Sequence, residues 1–295
     1  MSNQFPGSGG FDSLFEQIDS YRKGQTTYSF WRKQPFQVTI SGVWFDMALA
    51  PGNPPPIYYA STPLVGTQLS KTLDGGINHG HTVNPSSKYI SRFLVMSSSA
   101  TGLPMPFILC DYLFYYPFID QSTNDVQNLD NSASLSRYTD GKGVQVMVVN
   151  TNANVGSLPT FQMTYTNSTG VSRTSPVATL QSTTVSGAIP VSQTGATATA
   201  IPFMPLASGD SGVRSIQSVQ MVSGTDVGLM CFVLVKPLLT GVVLEQTAPF
   251  EVNTLDNISS MPEISDSACL NILCLPSGSL SGVGFHGEIE TIFNY

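Results

Sequence analysis

The stretch from Ile201 to Leu238, IPFMPLASGDSGVRSIQSVQMVSGTDVGLMCFVLVKPL, decides the fold class. Val213 to Met221 alternates apolar with polar residues. Val213, Ser215, Gln217, Val219 and Met221 share one face of an extended chain, and Arg214, Ile216, Ser218 and Gln220 share the other. Mixed faces of this kind predict a half-buried antiparallel strand. Gly228 to Val235 is apolar throughout and predicts a strand buried on both faces, stopped by Lys236-Pro237. Ser223-Gly224-Thr225-Asp226 predicts a hairpin turn between the two runs. The stretch describes a β-sheet and carries no chemistry.

Outward from it the pattern stays β. Strands are expected at Tyr28–Trp31, Phe36–Ile40, Val43–Leu49, Ile57–Ala60, Tyr89–Met96, the aromatic-rich Phe107–Asp120, Val144–Val149, Thr160–Thr166, Val171–Arg173, Thr183–Ile189, Thr197–Phe203, Gly241–Thr247, Cys269–Leu275 and Val283–Phe293. Asn167-Ser168-Thr169-Gly170 predicts a hairpin. Pro54-Pro55-Pro56 predicts a stiff extended segment, and residues 61–88 a long polar loop. The expectation is an all-β protein of about fourteen strands with long loops, a jelly-roll-like β-sandwich or two smaller sandwiches. Residues 28–295 would form this body, with any boundary between two sandwiches near 140–200.

One helix interrupts the pattern. Phe11, Leu14, Phe15, Ile18 and Tyr21 recur at intervals of three and four, so residues 1–27 are expected to form an arm with one amphipathic helix. Asp12 or Ser13 would cap it and Gly24 would end it. Its apolar face must cover either the protein's own sheet or a neighbouring subunit, and these five residues are the candidate interface. The 51–88 segment and the 179–200 tract are the other expected contact surfaces.

Composition narrows the function classes. Charged residues are 11% of the chain, against about 25% in an average domain. Polar neutral side chains have replaced charged ones, as suits a surface covered by neighbours. The net charge is −7 and the pI about 4.8, so no direct nucleic-acid contact is expected. No stretch has the length of apolar chain a membrane span requires, and residues 1–10 show no secretory leader. The Asn167 and Asn257 glycosylation triplets are therefore read as silent. Cys110, Cys231, Cys269 and Cys274 read as buried free thiols of a protein made in a reducing compartment.

Candidate chemistry is sparse, and no enzyme activity and no cofactor are expected. His79-Gly80-His81 places two imidazoles on one side of an extended chain, the weak metal candidate of the sequence. Asp111 with Asp120, or Glu288 with Glu290, would be the carboxylate pairs of a glycosidase, but Glu288 and Glu290 read as a solvated strand face. Arg214 is expected to fork onto Asp210 or onto backbone carbonyls and lock the Asp210-Ser211-Gly212 turn.

Two segments resemble structural proteins of tailed bacteriophages. These are Tyr115-Tyr116-Pro117-Phe118-Ile119-Asp120, and the run from Pro202-Phe203-Met204-Pro205-Leu206 through Gly209-Asp210-Ser211-Gly212-Val213-Arg214-Ser215 to Leu234-Val235-Lys236-Pro237-Leu238. The resemblance covers about a third of the chain and carries no catalytic set. It implies a virion protein, most of all a head decoration or cement subunit. Such a subunit is made in the host cytoplasm, sits on the capsid surface as a homo-oligomer (a trimer, or hexamer-associated), and clamps the major capsid protein. The rival expectations are a jelly-roll major capsid protein, a tail or receptor-binding β-protein holding a host glycan, and a glycan-active enzyme.

Overall fold

A computed structural model of the protein describes residues 11, 13–84, 87–154, 157–181, 184–192, 201–246, 248–253 and 261–294. In chain order these form α1 (Leu14–Arg22), β1 (Thr26–Lys33), β2 (Phe45–Asp46), β3 (Gly52–Asn53), β4 (Thr67–Gln68), α2 (Lys71–Asp74), β5 (Lys88–Ser97), β6 (Met105–Asp120), β7 (Gln127–Asn128), β8 (Gln145–Asn150), β9 (Thr160–Asn167) and β10 (Ser172–Thr174). There follow β11 (Ala178–Thr179), β12 (Val213–Ser223), β13 (Leu229–Val243), β14 (Phe250–Asn253), β15 (Glu263–Ile264), β16 (Leu270–Cys274) and β17 (Phe285–Phe293).

The strands make three antiparallel sheets, and the fold is an all-β sandwich. A terminal sheet has the order β14-β5-β17-β1-β3, with β15 on β5. A central sheet has the order β2-β16-β6-β13-β8, with β4 on β6. An outer sheet has the order β10-β9-β12-β7, with β11 on β9. The described residues hold seventeen strands, more than the sequence pattern suggests. The surplus includes two-residue pieces such as β3, β4 and β7, too short to show a period of two.

The sixteen-residue strand β6 shows how the layers share one chain. Met105, Phe107 and Leu109 join Phe93, Trp31 and Ile289 of the terminal sheet in one core. Tyr112, Phe114 and Tyr116 join Phe161, Met163 and Tyr165 of the outer sheet in the other. The rings of Phe93 and Phe107 lie 5.9 Å apart across the first core, and those of Phe161 and Phe232 lie 5.9 Å apart across the second. An aromatic-rich strand belongs where it can bury both faces, and β6 does so against two partners.

The two runs that decide the fold class are strands, but they do not pair. β12 lies in the outer sheet between β9 and β7, whereas β13 lies in the central sheet between β6 and β8. The Ser223–Asp226 turn therefore carries the chain from one layer to the other. Strict alternation also fails in β12. Val213, Ile216, Val219 and Met221 are all buried, at spacings of three, three and two. Register shifts between Val213 and Ser215, and again between Ile216 and Ser218, supply the reason. Each bulge inserts one residue and flips the faces, so the mixed faces of the sequence become one apolar face.

Pro237 does not end β13. The strand continues to Val243, with a register shift between Pro237 and Leu239. β8 pairs only with Met230 to Val235, so at Pro237 the strand has β6 alone beside it. A residue without an N–H is tolerated where one flank is unpaired. The Asn167–Gly170 hairpin forms as expected: β9 and β10 pair, and Gly170 takes a φ of +85°.

Other expected strands are absent. Neither Phe36–Ile40 nor Ile57–Ala60 forms a strand, Tyr59 taking a φ of +50° in the latter, and only Phe45–Asp46 of Val43–Leu49 is a strand. The described parts of Thr183–Ile189 and Thr197–Phe203 form no strand either, while residues 182–183 and 193–200 lie outside the described residues. Gly241–Val243 is the end of β13 and not the start of a new strand. Residues 61–88 are less of a loop than their polarity suggests. They contain β4 and α2, and Leu69, Ile77, His79 and Val83 anchor them inward.

Candidate functional site

α1 forms where the three- and four-residue spacing places it. Ser13 caps it, its side chain accepting from the Glu16 N–H at 3.3 Å, and Gly24 leaves it at a φ of +71°. Its orientation is the reverse of an ordinary surface helix. Gln17 and Ser20 are buried, whereas Leu14, Phe15 and Ile18 are 48%, 69% and 39% exposed. Gln17 reaches the Met261 sulfur at 3.3 Å, and the Phe11 ring packs on Tyr89 at 5.6 Å. Tyr21 lies against β5 and β17, sharing hydrogen bonds with Ser91 and Glu290; burial raises its pKa to about 12. Thus Phe11 and Tyr21 turn inward, and the other three candidate interface residues face solvent.

Beyond α1 the outer face of the terminal sheet is open. Cross-strand register puts its side chains in three rows. Arg32, His286 and Met96 form the first, Phe30, Glu288 and Leu94 the second, and Tyr28, Glu290 and Arg92 the third. A polar column on β17 therefore runs between an aromatic wall on β1 and an apolar wall on β5. The first two rows line a cavity of about 630 Å³ with Ser98, Gly284 and Gly287. Phe30 is 72% exposed at its edge. The third row is tied down: Arg92 contacts Glu288, lies 3.6 Å from Glu290 and lies 3.9 Å from Glu251. Glu290 is buried. Glu288 and Glu290 do share a strand face, but it is not simply solvated, because Arg92 and Tyr21 crowd it.

The remaining candidates resolve into structural roles. His79 is buried, its Nε2 donating to the Ala268 carbonyl at 3.0 Å. Burial, with Lys71 and Lys88 nearby, pushes its pKa down to about 3. The neighbouring His81 ring sits edge-on to Phe293 at 5.3 Å. The two imidazoles thus serve different surroundings, and no group of three His, Cys, Asp or Glu suited to a metal occurs among the described residues. Asp111 and Asp120 are apart in role as well as place. Asp111 is paired with Arg137 in the core, and Asp120 accepts from Ser122 in a turn. Arg214 forks onto the Asp140 and Ser168 carbonyls, at 3.1 and 2.7 Å, while Asp210 is held by Tyr165, Asn167 and Arg173. All four cysteines are free and buried, and burial pushes their thiols up, away from nucleophilic character.

Sequence reasoning missed Lys33. It ends β1 on the inward face, and its Nζ donates to the carbonyls of Ala48, Ala50 and Pro55 at 3.4, 3.0 and 3.3 Å. The ammonium pins the proline segment to the terminal sheet. Only strand alternation, which sets Ser29, Trp31 and Lys33 on one side, marks it in the sequence. Nearby Asp46 is fully buried and receives the hydroxyls of Tyr59 at 2.5 Å and Tyr112 at 2.6 Å. Burial raises the Asp46 pKa, and it lowers that of Lys33 to about 8 against the attraction of Asp46. The unfolded chain, with Lys33 at its ordinary value of 10.5, binds more protons than the folded one between pH 8 and 10.5. Stability contributed through Lys33 should therefore rise with pH across that window, by about 3 kcal/mol at most. Denaturant unfolding at pH 8 and pH 10 checks this, since Lys33→Met should flatten the rise.

No family model matches the sequence, and a search of curated proteins finds no match. Among solved structures, the VP2 subviral particle of infectious bursal disease virus aligns over 100% of this chain and 85% of that one, at 9% identity and a TM-score of 0.20. The structure of the Gt strain of the same virus aligns over 98% and 85%, at 10% identity and a TM-score of 0.18. Scores this low carry no argument about the chain.

Proposed function

We propose that the protein is a structural subunit of a tailed-phage virion, an auxiliary decoration or cement protein that reinforces the shell by clamping neighbouring capsid proteins. It acts as a homo-oligomer, a trimer, on the capsid surface and needs no cofactor or catalytic group. The observation that supports this reading is the reversed α1, with Gln17 and Ser20 inward and Leu14, Phe15 and Ile18 outward. Large apolar side chains gathered on one exposed helix face mark a surface meant to be covered. Phe36 and Val38, 69% and 67% exposed on a segment outside the three sheets, support it too. Many modest contacts of this kind add up when shell symmetry multiplies them.

The test replaces Leu14, Phe15 and Ile18 together with serine. Because the three side chains already face solvent, the isolated protein should unfold within about 0.5 kcal/mol of the parent. Its association with purified capsids should be lost. Undiminished capsid association of the variant, or absence of the parent protein from purified particles, would overturn the reading.

A further inference from the structure

The cavity on the outer face of the terminal sheet is a built site, independent of how α1 is used. Its two walls are apolar: Phe30 on β1, and Leu94 and Met96 on β5. Its centre line is polar, with His286 and Glu288 projecting from β17 between those walls and Arg32 beside them. Gly284 leaves one end open. A Cβ there would stand 3.2 Å from Ser98 Oγ and 3.8 Å from Arg32 Nε, so a larger side chain would intrude on that mouth. Arg92 and the third row close the other end.

The chemistry of the lining selects the ligand by elimination. Arg92 already meets Glu288, so no free cation is required there. An anion drawn to Arg32 would meet the Glu288 carboxylate in the neighbouring row, with Glu290 and Glu251 beyond it around Arg92. A wholly apolar molecule would strip water from His286 and Glu288 and return no hydrogen bond, which costs more than the contact gains. A molecule with one C–H face and a rim of hydroxyls satisfies both halves. The C–H face lies on the Phe30 ring, and the hydroxyls exchange hydrogen bonds with His286, Glu288 and Arg32. The volume, about 630 Å³, falls within the range of small-molecule sites. We propose that this trough binds a neutral pyranose, with Phe30 as the stacking platform and Glu288 and His286 as the hydroxyl-reading pair.

Saturation-transfer NMR on the intact protein tests the assignment, using methyl glycosides of glucose, galactose, mannose and N-acetylglucosamine, with N-acetylneuraminic acid as the anionic control. At least one neutral glycoside should receive saturation, and the anionic sugar should receive none. Phe30→Ala removes a side chain that is mostly exposed, so it should leave the melting temperature unchanged. It should weaken binding roughly three- to tenfold, the worth of one aromatic face. Glu288→Gln should weaken it as well. Silence from every neutral glycoside, binding of the anionic sugar alone, or unchanged affinity in Phe30→Ala would each overturn the assignment. None of these results depends on whether α1 docks on a capsid.

Discussion

Arg137→Ala is expected to lower the free energy of unfolding by about 3–5 kcal/mol, the cost of leaving a buried charge without its partner. Arg137 and Asp111 are 3% and 0% exposed. The guanidinium meets the carboxylate with both prongs, Nε to Oδ2 at 2.9 Å and Nη2 to Oδ1 at 2.7 Å. It also donates to the Leu69 and Tyr112 carbonyls at 3.0 Å each, and Asp111 accepts from the Cys269 N–H at 2.9 Å. One cation therefore joins β6, the Leu69 segment and the approach to β16. Arg137→Lys keeps the charge but cannot form the fork, so its loss should be smaller yet clear. Equilibrium urea unfolding measures both. A loss below about 1 kcal/mol for the alanine variant would mean that water fills the site and the pair is not holding the layers together.

Gly287→Ala should be nearly as damaging, at about 3 kcal/mol, through crowding instead of loss. Gly287 lies in β17 between Trp31 and Val95. A Cβ at this position would sit 1.8 Å from the Leu94 carbonyl oxygen and 2.8 Å from Trp31 Cζ2. The backbone of β5 cannot retreat without breaking ladder hydrogen bonds, and the Trp31 ring is stacked on Phe93 at 5.9 Å. Heat denaturation followed by circular dichroism should show the lower midpoint. An unchanged midpoint would show that the two strands stand further apart than this geometry requires.

The all-β class was legible because most long strands carry the period or apolar content that burial demands. Tyr89–Met96, Phe107–Asp120 and Val283–Phe293 all became strands near those bounds. Partnership was not legible. Ser223–Asp226 has the composition of a hairpin turn, yet nothing local distinguishes a turn within a sheet from one between sheets. The bulges of β12 depend on the register with β9, so Ile216 could not be assigned to the buried side from alternation alone. Phe36, Val38 and Ile40 alternate as a strand should, but no strand pairs with them, and Phe36 instead accepts from the Ser281 hydroxyl at 3.0 Å. For the trough, residues from β1, β5 and β17 meet only once the terminal sheet forms. His286 and Glu288 are two apart in sequence, but Phe30 and Leu94 reach them from far along the chain.

The pairing of β1 with β17 has a consequence for how the protein is made. Thr26 faces Ile292 and Lys33 faces Phe285, so β1 must wait for a strand synthesised long after it. Contacts this distant in sequence close slowly, and an unpaired β1 would meanwhile offer Tyr28 and Phe30 to any passing strand edge. A nascent chain stalled short of β17 should accordingly be held by chaperones that bind exposed apolar strands, and the folded protein should not.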